Sequence, residues 1–184
     1  LFLSERVFVG LLVLAAITGL YALPVLPRHK NFRSLSGLKI LIVAAVWAGT
    51  TVILPAISVL DTISWNIKVE TVQRFLFVLI LLIPFEIRDL KYDSLLLKTL
   101  PQRVGVKGAK IIGYVWIALF YGASFLKKDL DINRMLAMTI VCSILILVIY
   151  KTKKEQSKYF SSFWVEAIPL FWWLLFVFVE RLVI

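Results

Sequence analysis

The chain is predicted to be an all-α, polytopic membrane helix bundle, and three observations carry that prediction. Hydrophobic residues fill 61% of its 184 positions and charged residues only 17%, against roughly 45–50% apolar usage in soluble domains. Its mean hydropathy is +0.92. The apolar residues gather into six runs, each near the roughly 20 residues that cross hydrocarbon as a helix. Because lipid offers backbone polar groups no partner, such runs must be helices or a closed barrel, and their uniform apolarity lacks a barrel's alternation.

The first segment, Val7–Leu26, is long enough to span and carries no small-residue cleavage site at its end, which argues against a signal peptide. Pro24 and Pro27 close it and open a basic loop. Ile40–Leu60 follows, with Pro55 at a point where a helix kinks or ends, and then Thr71–Glu86, where Pro84 plays the same part. Gly105 and Gly108 suit a turn into the fourth segment, Ile111–Leu126. The last two are Met135–Tyr150 and Trp164–Val179. The third, fourth and fifth are short as drawn, so they are expected to run on through flanking polar residues, with Arg74 and Lys127 snorkelling to the interface. No repeat or soluble linker interrupts the series, and residues 1–184 read as one membrane domain.

The formal net charge of +10 belongs, in a membrane chain, to cytoplasmic loops rather than to a nucleic-acid surface. Lys and Arg are concentrated in the connections after the first, third and fifth segments, so those connections are expected to face the cytoplasm and both chain ends the other side. With Leu1 rather than methionine at the start, that orientation implies an odd number of spans upstream. Cys142, the one cysteine, lies within an apolar run and reads as a packed thiol. His29, the one histidine, has no second ligand at zinc-binding spacing. Asp129 and Asp131 fall on the opposite side from the charged stretch described next and read as solvated.

That stretch is PFEIRDLKYDSLLLKTLPQRVG, from Pro84 to Gly105, where an apolar run meets charges of both signs. As a helix end it would set Glu86, Asp89 and Asp93 at i, i+3 and i+7, on one stripe. Carboxylates so placed suit a hard divalent ion such as magnesium, which binds through a few carboxylates, waters and substrate phosphates. The plain alternative is a solvated face on which Arg88, Lys91 and Lys98 neutralise the acids. Elsewhere, Glu166 stands near the start of the last segment, where it either orients a ligand or caps the helix. Trp164, Trp172 and Trp173 read as packing or interfacial aromatics before they read as a pocket.

The run IRDLKYDSLLLKTLPQRVG resembles the second aspartate-rich motif of the UbiA-like intramembrane prenyltransferases, an (N)xRDxxxD segment leading to K-x-T-L and a glycine. Arg88, Asp89, Asp93, Lys98, Thr99, Leu100 and Gly105 stand at the matching places. The family has nine spans and carries this motif in a cytoplasmic loop after the sixth. The resemblance therefore implies that the chain holds the last six of nine, in a bacterial inner membrane. Tyr21 and Pro24, ahead of Arg28 and Lys30, parallel a YxxP-type stretch before a basic loop. By resemblance, Asp89 and Asp93 are catalytic and bind Mg²⁺, with Glu86 as a third ligand. Arg88, Lys91 and Lys98, with Lys30 and Arg103, contact the prenyl diphosphate. Tyr21 and Glu166 border the acceptor or prenyl pocket. The implied activity moves an isoprenyl group from a prenyl diphosphate to a lipophilic, aromatic acceptor such as a quinone precursor.

The sequence also departs from the family. The first aspartate-rich motif is absent from these residues, and Phe85 and Glu86 stand where many relatives carry asparagines. A non-catalytic relative that binds isoprenoid lipid or supports an assembly is the alternative. A small transporter would place ionisable residues deep in several spans, and few are present.

Overall fold

The computed structural model describes residues 4–22, 37–92, 99–129, 131–157 and 159–181. Among them there are helices and short connections and no strand. The helices are α1 (Glu5–Ala22), α2 (Leu38–Ala48), α3 (Leu54–Val59), α4 (Trp65–Asp89), α5 (Leu100–Gly122), α6 (Ile132–Lys151) and α7 (Glu166–Arg181). A π-helical segment, Gly49–Ile53, joins α2 to α3, and a second, Phe160–Val165, leads into α7. Taken with these segments, five helices are long and apolar enough to cross a membrane. Among the described residues, each of the six expected segments coincides with a helical stretch, apart from Leu60 at the end of the second.

The one long helix outside those five is α4, 25 residues with Lys68, Glu70, Arg74, Glu86, Arg88 and Asp89 along it. It is nevertheless the centre of the bundle. Phe77, Ile80, Ile83 and Ile87 on α4 are almost wholly buried, against Ile117 and Phe120 of α5, Val141, Leu145 and Ile149 of α6, and Val165, Ile168 and Trp172 from the last helical stretch. A smaller cluster joins Ile40 and Ala44 of α2 to Val78 and Leu79 on another face of α4. Being enclosed by neighbours rather than lipid is what lets α4 carry charge where the outer helices are apolar.

Close approach rests on small residues, as is usual where helices associate within lipid. A Cβ on Gly113 would lie 2.8 Å from Ile83 Cδ1 and 3.2 Å from Ile149 Cδ1, so glycine is what admits α4 and α6 to the same point of α5. Helix ends follow local chemistry. Ser64 Oγ accepts from the Ile67 amide at the start of α4, and Asp131 Oδ1 accepts from the Asn133 amide at the start of α6. At the start of α5 the Thr99 amide donates to Gln102 Oε1 at 3.0 Å.

Two boundaries lie beyond the segments as drawn, in the direction expected. The fourth segment begins at Leu100, not near Ile111, and Gly105 is a break inside the helix, at φ 72° and ψ 170°. A positive φ is open to glycine at little cost, so the helix kinks there and resumes. The third segment ends at Asp89, after which the Tyr92 amide bonds to the Asp89 carbonyl in a turn. The helical stripe therefore stops at Asp89, and Asp93 lies outside the described residues.

The connections sort to two ends of the bundle. Arg6 pairs with Asp61, Trp65 Nε1 donates to the Leu126 carbonyl, and Asn66 meets Asp129, all at one end. Lys39, Glu86, Arg88 and Gln156 meet at the other.

Candidate functional site

The end that holds the charged stretch is built from three pieces. The last turn of α4 supplies Glu86, Arg88 and Asp89, the turn after it Lys91 and Tyr92, and the passage from α6 into the last helix Gln156, Ser161 and Ser162. Arg88, Asp89, Lys91, Tyr92, Gln156 and Ser162 line a cavity of about 340 Å³.

Arg88 is the most constrained side chain there. Its Nε donates to Asp89 Oδ1 at 2.7 Å, its Nη1 donates to Ser161 Oγ and Ser162 Oγ at 3.2 Å each, and its plane lies over the Phe85 ring at 5.3 Å. Its Nη2 has no hydrogen-bond partner among the described residues. Lys91 is exposed, with Nζ 5.0 Å from the centre of the Tyr92 ring and no carboxylate partner among the described residues. The cavity wall thus presents a guanidinium edge, an ammonium and a hydroxyl beside one carboxylate. That is a donor set suited to a phosphate or diphosphate, whose oxygens accept from planar and point-charge cations alike.

Gln156 ties the pieces together. Its Nε2 donates to the Pro84 carbonyl at 3.0 Å and its Oε1 accepts from the Lys153 amide at 3.1 Å. The connection after α6 is thereby pinned to α4 beside its proline.

Glu86 takes another direction. It is 4% exposed, and Oε1 accepts from Lys39 Nζ at 2.9 Å. A carboxylate so buried needs a counter-charge, and the structure supplies Lys39 of α2 in that place. Asp89 is half-buried and on the cavity wall. No group of three potential metal ligands occurs among the described residues. Magnesium retains waters and substrate oxygens and asks the protein for one or two carboxylates. Asp89 fits that demand and Glu86, enclosed with Lys39, does not.

The other expected residues scatter. Arg103 is exposed on the first turns of α5, Tyr21 is half-buried near the end of α1, and Glu166 is exposed in the first turn of α7; none lines the cavity. Asp93, Lys98 and Lys30 lie outside the described residues. Trp172 is buried, tilted against Phe77 and edge-on to Phe120 with ring centres 4.7 and 5.6 Å away, while Trp164 and Trp173 are exposed. Cys142 is buried, as expected of a packed thiol.

Four partners went unread in the sequence: Lys39, Gln156, Ser161 and Ser162. The available signal was a pair of serines directly ahead of the last span, on the same side of the bundle as Arg88. Neither a family model, nor a curated protein, nor a solved structure matches the chain.

Proposed function

We propose that the chain is part of a UbiA-like integral membrane prenyltransferase, multi-pass in a bacterial inner membrane, with the Arg88 end in the cytoplasm. It binds a prenyl diphosphate and transfers the isoprenyl group to a lipophilic, aromatic acceptor. The observation that carries this reading is the cavity where Arg88, Lys91 and Ser162 converge beside Asp89, at one end of an apolar bundle. A diphosphate in that cavity leaves its prenyl tail free to lie along the apolar helices. Asp89, with Asp93, would hold magnesium, which would neutralise charge on the diphosphate.

The allylic carbon–oxygen bond breaks with its electron pair leaving on the diphosphate. Arg88 and Lys91 stabilise that charge through fixed donors. The electrons of the aromatic acceptor form the new carbon–carbon bond to the allylic cation, and the ring proton passes to the released diphosphate. Apolar surroundings keep water from the cation.

The test is prenyl transfer by the protein in lipid, using radiolabelled prenyl diphosphates of several lengths, a panel of quinone precursors, and magnesium present or absent. Magnesium-dependent product that disappears in the Asp89→Ala, Asp93→Ala double variant is the expected result. A second reading, a non-catalytic relative that binds isoprenoid diphosphate, is favoured by one observation. Glu86 is committed to Lys39, which leaves Asp89 as the one carboxylate among the residues that line the cavity. Donor binding without transfer to any acceptor would decide for it.

A further inference from the structure

The π-helical segment ahead of α7 makes an unusual contact with the cavity. Ser161 and Ser162 are consecutive, yet both hydroxyls reach the same nitrogen of Arg88, at 3.2 Å. A π turn is wider than an α turn, so neighbouring residues are rotated less from one another and two successive side chains can converge on one atom. π segments of a single turn occur often at functional sites. Ser161 is fully buried, and Gln156 Nε2, which also holds the Pro84 carbonyl, lies 3.5 Å from its Oγ. Ser162 is exposed and lines the cavity.

The guanidinium is a rigid plane. With Nε fixed by Asp89 and Nη1 fixed by two hydroxyls, the plane has no freedom to turn, and the remaining Nη2 edge has one direction. An arginine near a helix end otherwise samples many rotamers and spends part of its binding free energy on being ordered.

We infer that Ser161 and Ser162 are positioning residues that hold Arg88 ready for a phosphate-type anion. The last helix thereby takes part in recognising a ligand it does not itself carry the charge for. This rests on the reading of the cavity as a diphosphate site.

The experiment is a double-mutant cycle on the full chain in lipid nanodiscs, with equilibrium binding of farnesyl diphosphate as the readout and inorganic pyrophosphate as competitor. Arg88→Ala is expected to weaken binding about thirtyfold and Ser161→Ala with Ser162→Ala about tenfold, in line with charge-assisted hydrogen bonds. On the Arg88→Ala background the serine changes should have no further effect, and Ser161→Thr with Ser162→Thr should retain most of the affinity. A merely structural role for the serines predicts the opposite, an equal loss on both backgrounds, and that result overturns the inference. So does unchanged affinity in the serine variant while Arg88→Ala still loses it, an outcome that leaves the diphosphate reading standing. No binding by the unaltered protein removes both. Should replacing buried Ser161 prevent folding, Ser162→Ala alone carries the same cycle.

Discussion

The two ends of α4 use charge in opposite ways. At the Trp65 end, Glu70 is paired with Lys127 and lies 4.0 Å from Arg74, Asp131 is paired with Arg134, and Asn66 bonds both Asp129 and the Lys128 amide. Arg74 lies over the Trp172 ring at 4.6 Å, and Gln73, fully buried, donates to the Phe120 carbonyl and Ser124 Oγ. A cavity of about 280 Å³ there is lined by acids and bases that already face each other. At the Asp89 end Glu86 is paired with Lys39 and one oxygen of Asp89 with Arg88 Nε, while Lys91 and one edge of Arg88 remain open to the cavity. One cavity is lined by charges paired within the fold, the other by a cationic edge left open.

The comparison breaks most severely if the chemistry is not at the Asp89 end. Asp89→Ala with Asp93→Ala should reduce prenyl transfer to background, a loss of about a thousandfold or more, measured as labelled product. Loss of transfer in Glu70→Gln instead would reverse the assignment of the two ends.

Binding sharpens it next. Arg88→Ala should raise the Kd for prenyl diphosphate more than tenfold, as expected for a charge-assisted, multidentate contact. Arg74→Met should leave that Kd unchanged, because its partners are Glu70 and two aromatic rings at the far end. Equal effects in a titration would erase the distinction.

Stability separates the ends as well. Lys39→Met strands Glu86 without a counter-charge. The cost should be about 2 kcal/mol, less than the roughly 3–5 of fully buried pairs because the Lys39 side chain is 32% exposed. Thermal unfolding in detergent should show the loss, and Lys39→Met with Glu86→Gln should recover most of it. Gln73→Leu should cost about 1 kcal/mol, since it removes two buried hydrogen bonds of an amide whose Oε1 is itself unpartnered. Lys127→Met, at a partly exposed pair, should cost no more than about 1 kcal/mol in the same measurement.

How much of this was legible depended on range. Apolar runs located all six helical stretches, because length and hydropathy are local properties. The end of the bundle at which the described connections lie was legible for the same reason. The end of α4 was not. Leu90, Lys91 and Tyr92 contain no helix breaker, and the stripe from Glu86 to Asp93 looked continuous until the turn after Asp89 interrupted it. The start of α5 was hidden by the polar stretch from Gln102 to Lys110, whose helical state rests on packing such as that of fully buried Ala109. Arg88, Asp89 and Lys91 were legible as chemistry through their residue types. Ser161 and Gln156 were not, because they are 73 and 72 residues from the groups they touch.

The placement of charge along α4 has a further consequence, for the depth of the dry interior. Between Arg74 and Glu86 the helix rises by about 18 Å, well short of the roughly 30 Å of hydrocarbon in a bilayer. The charges flanking this stretch therefore lie within the depth of the hydrocarbon, where their partners Lys39 and Glu70, rather than water, balance them.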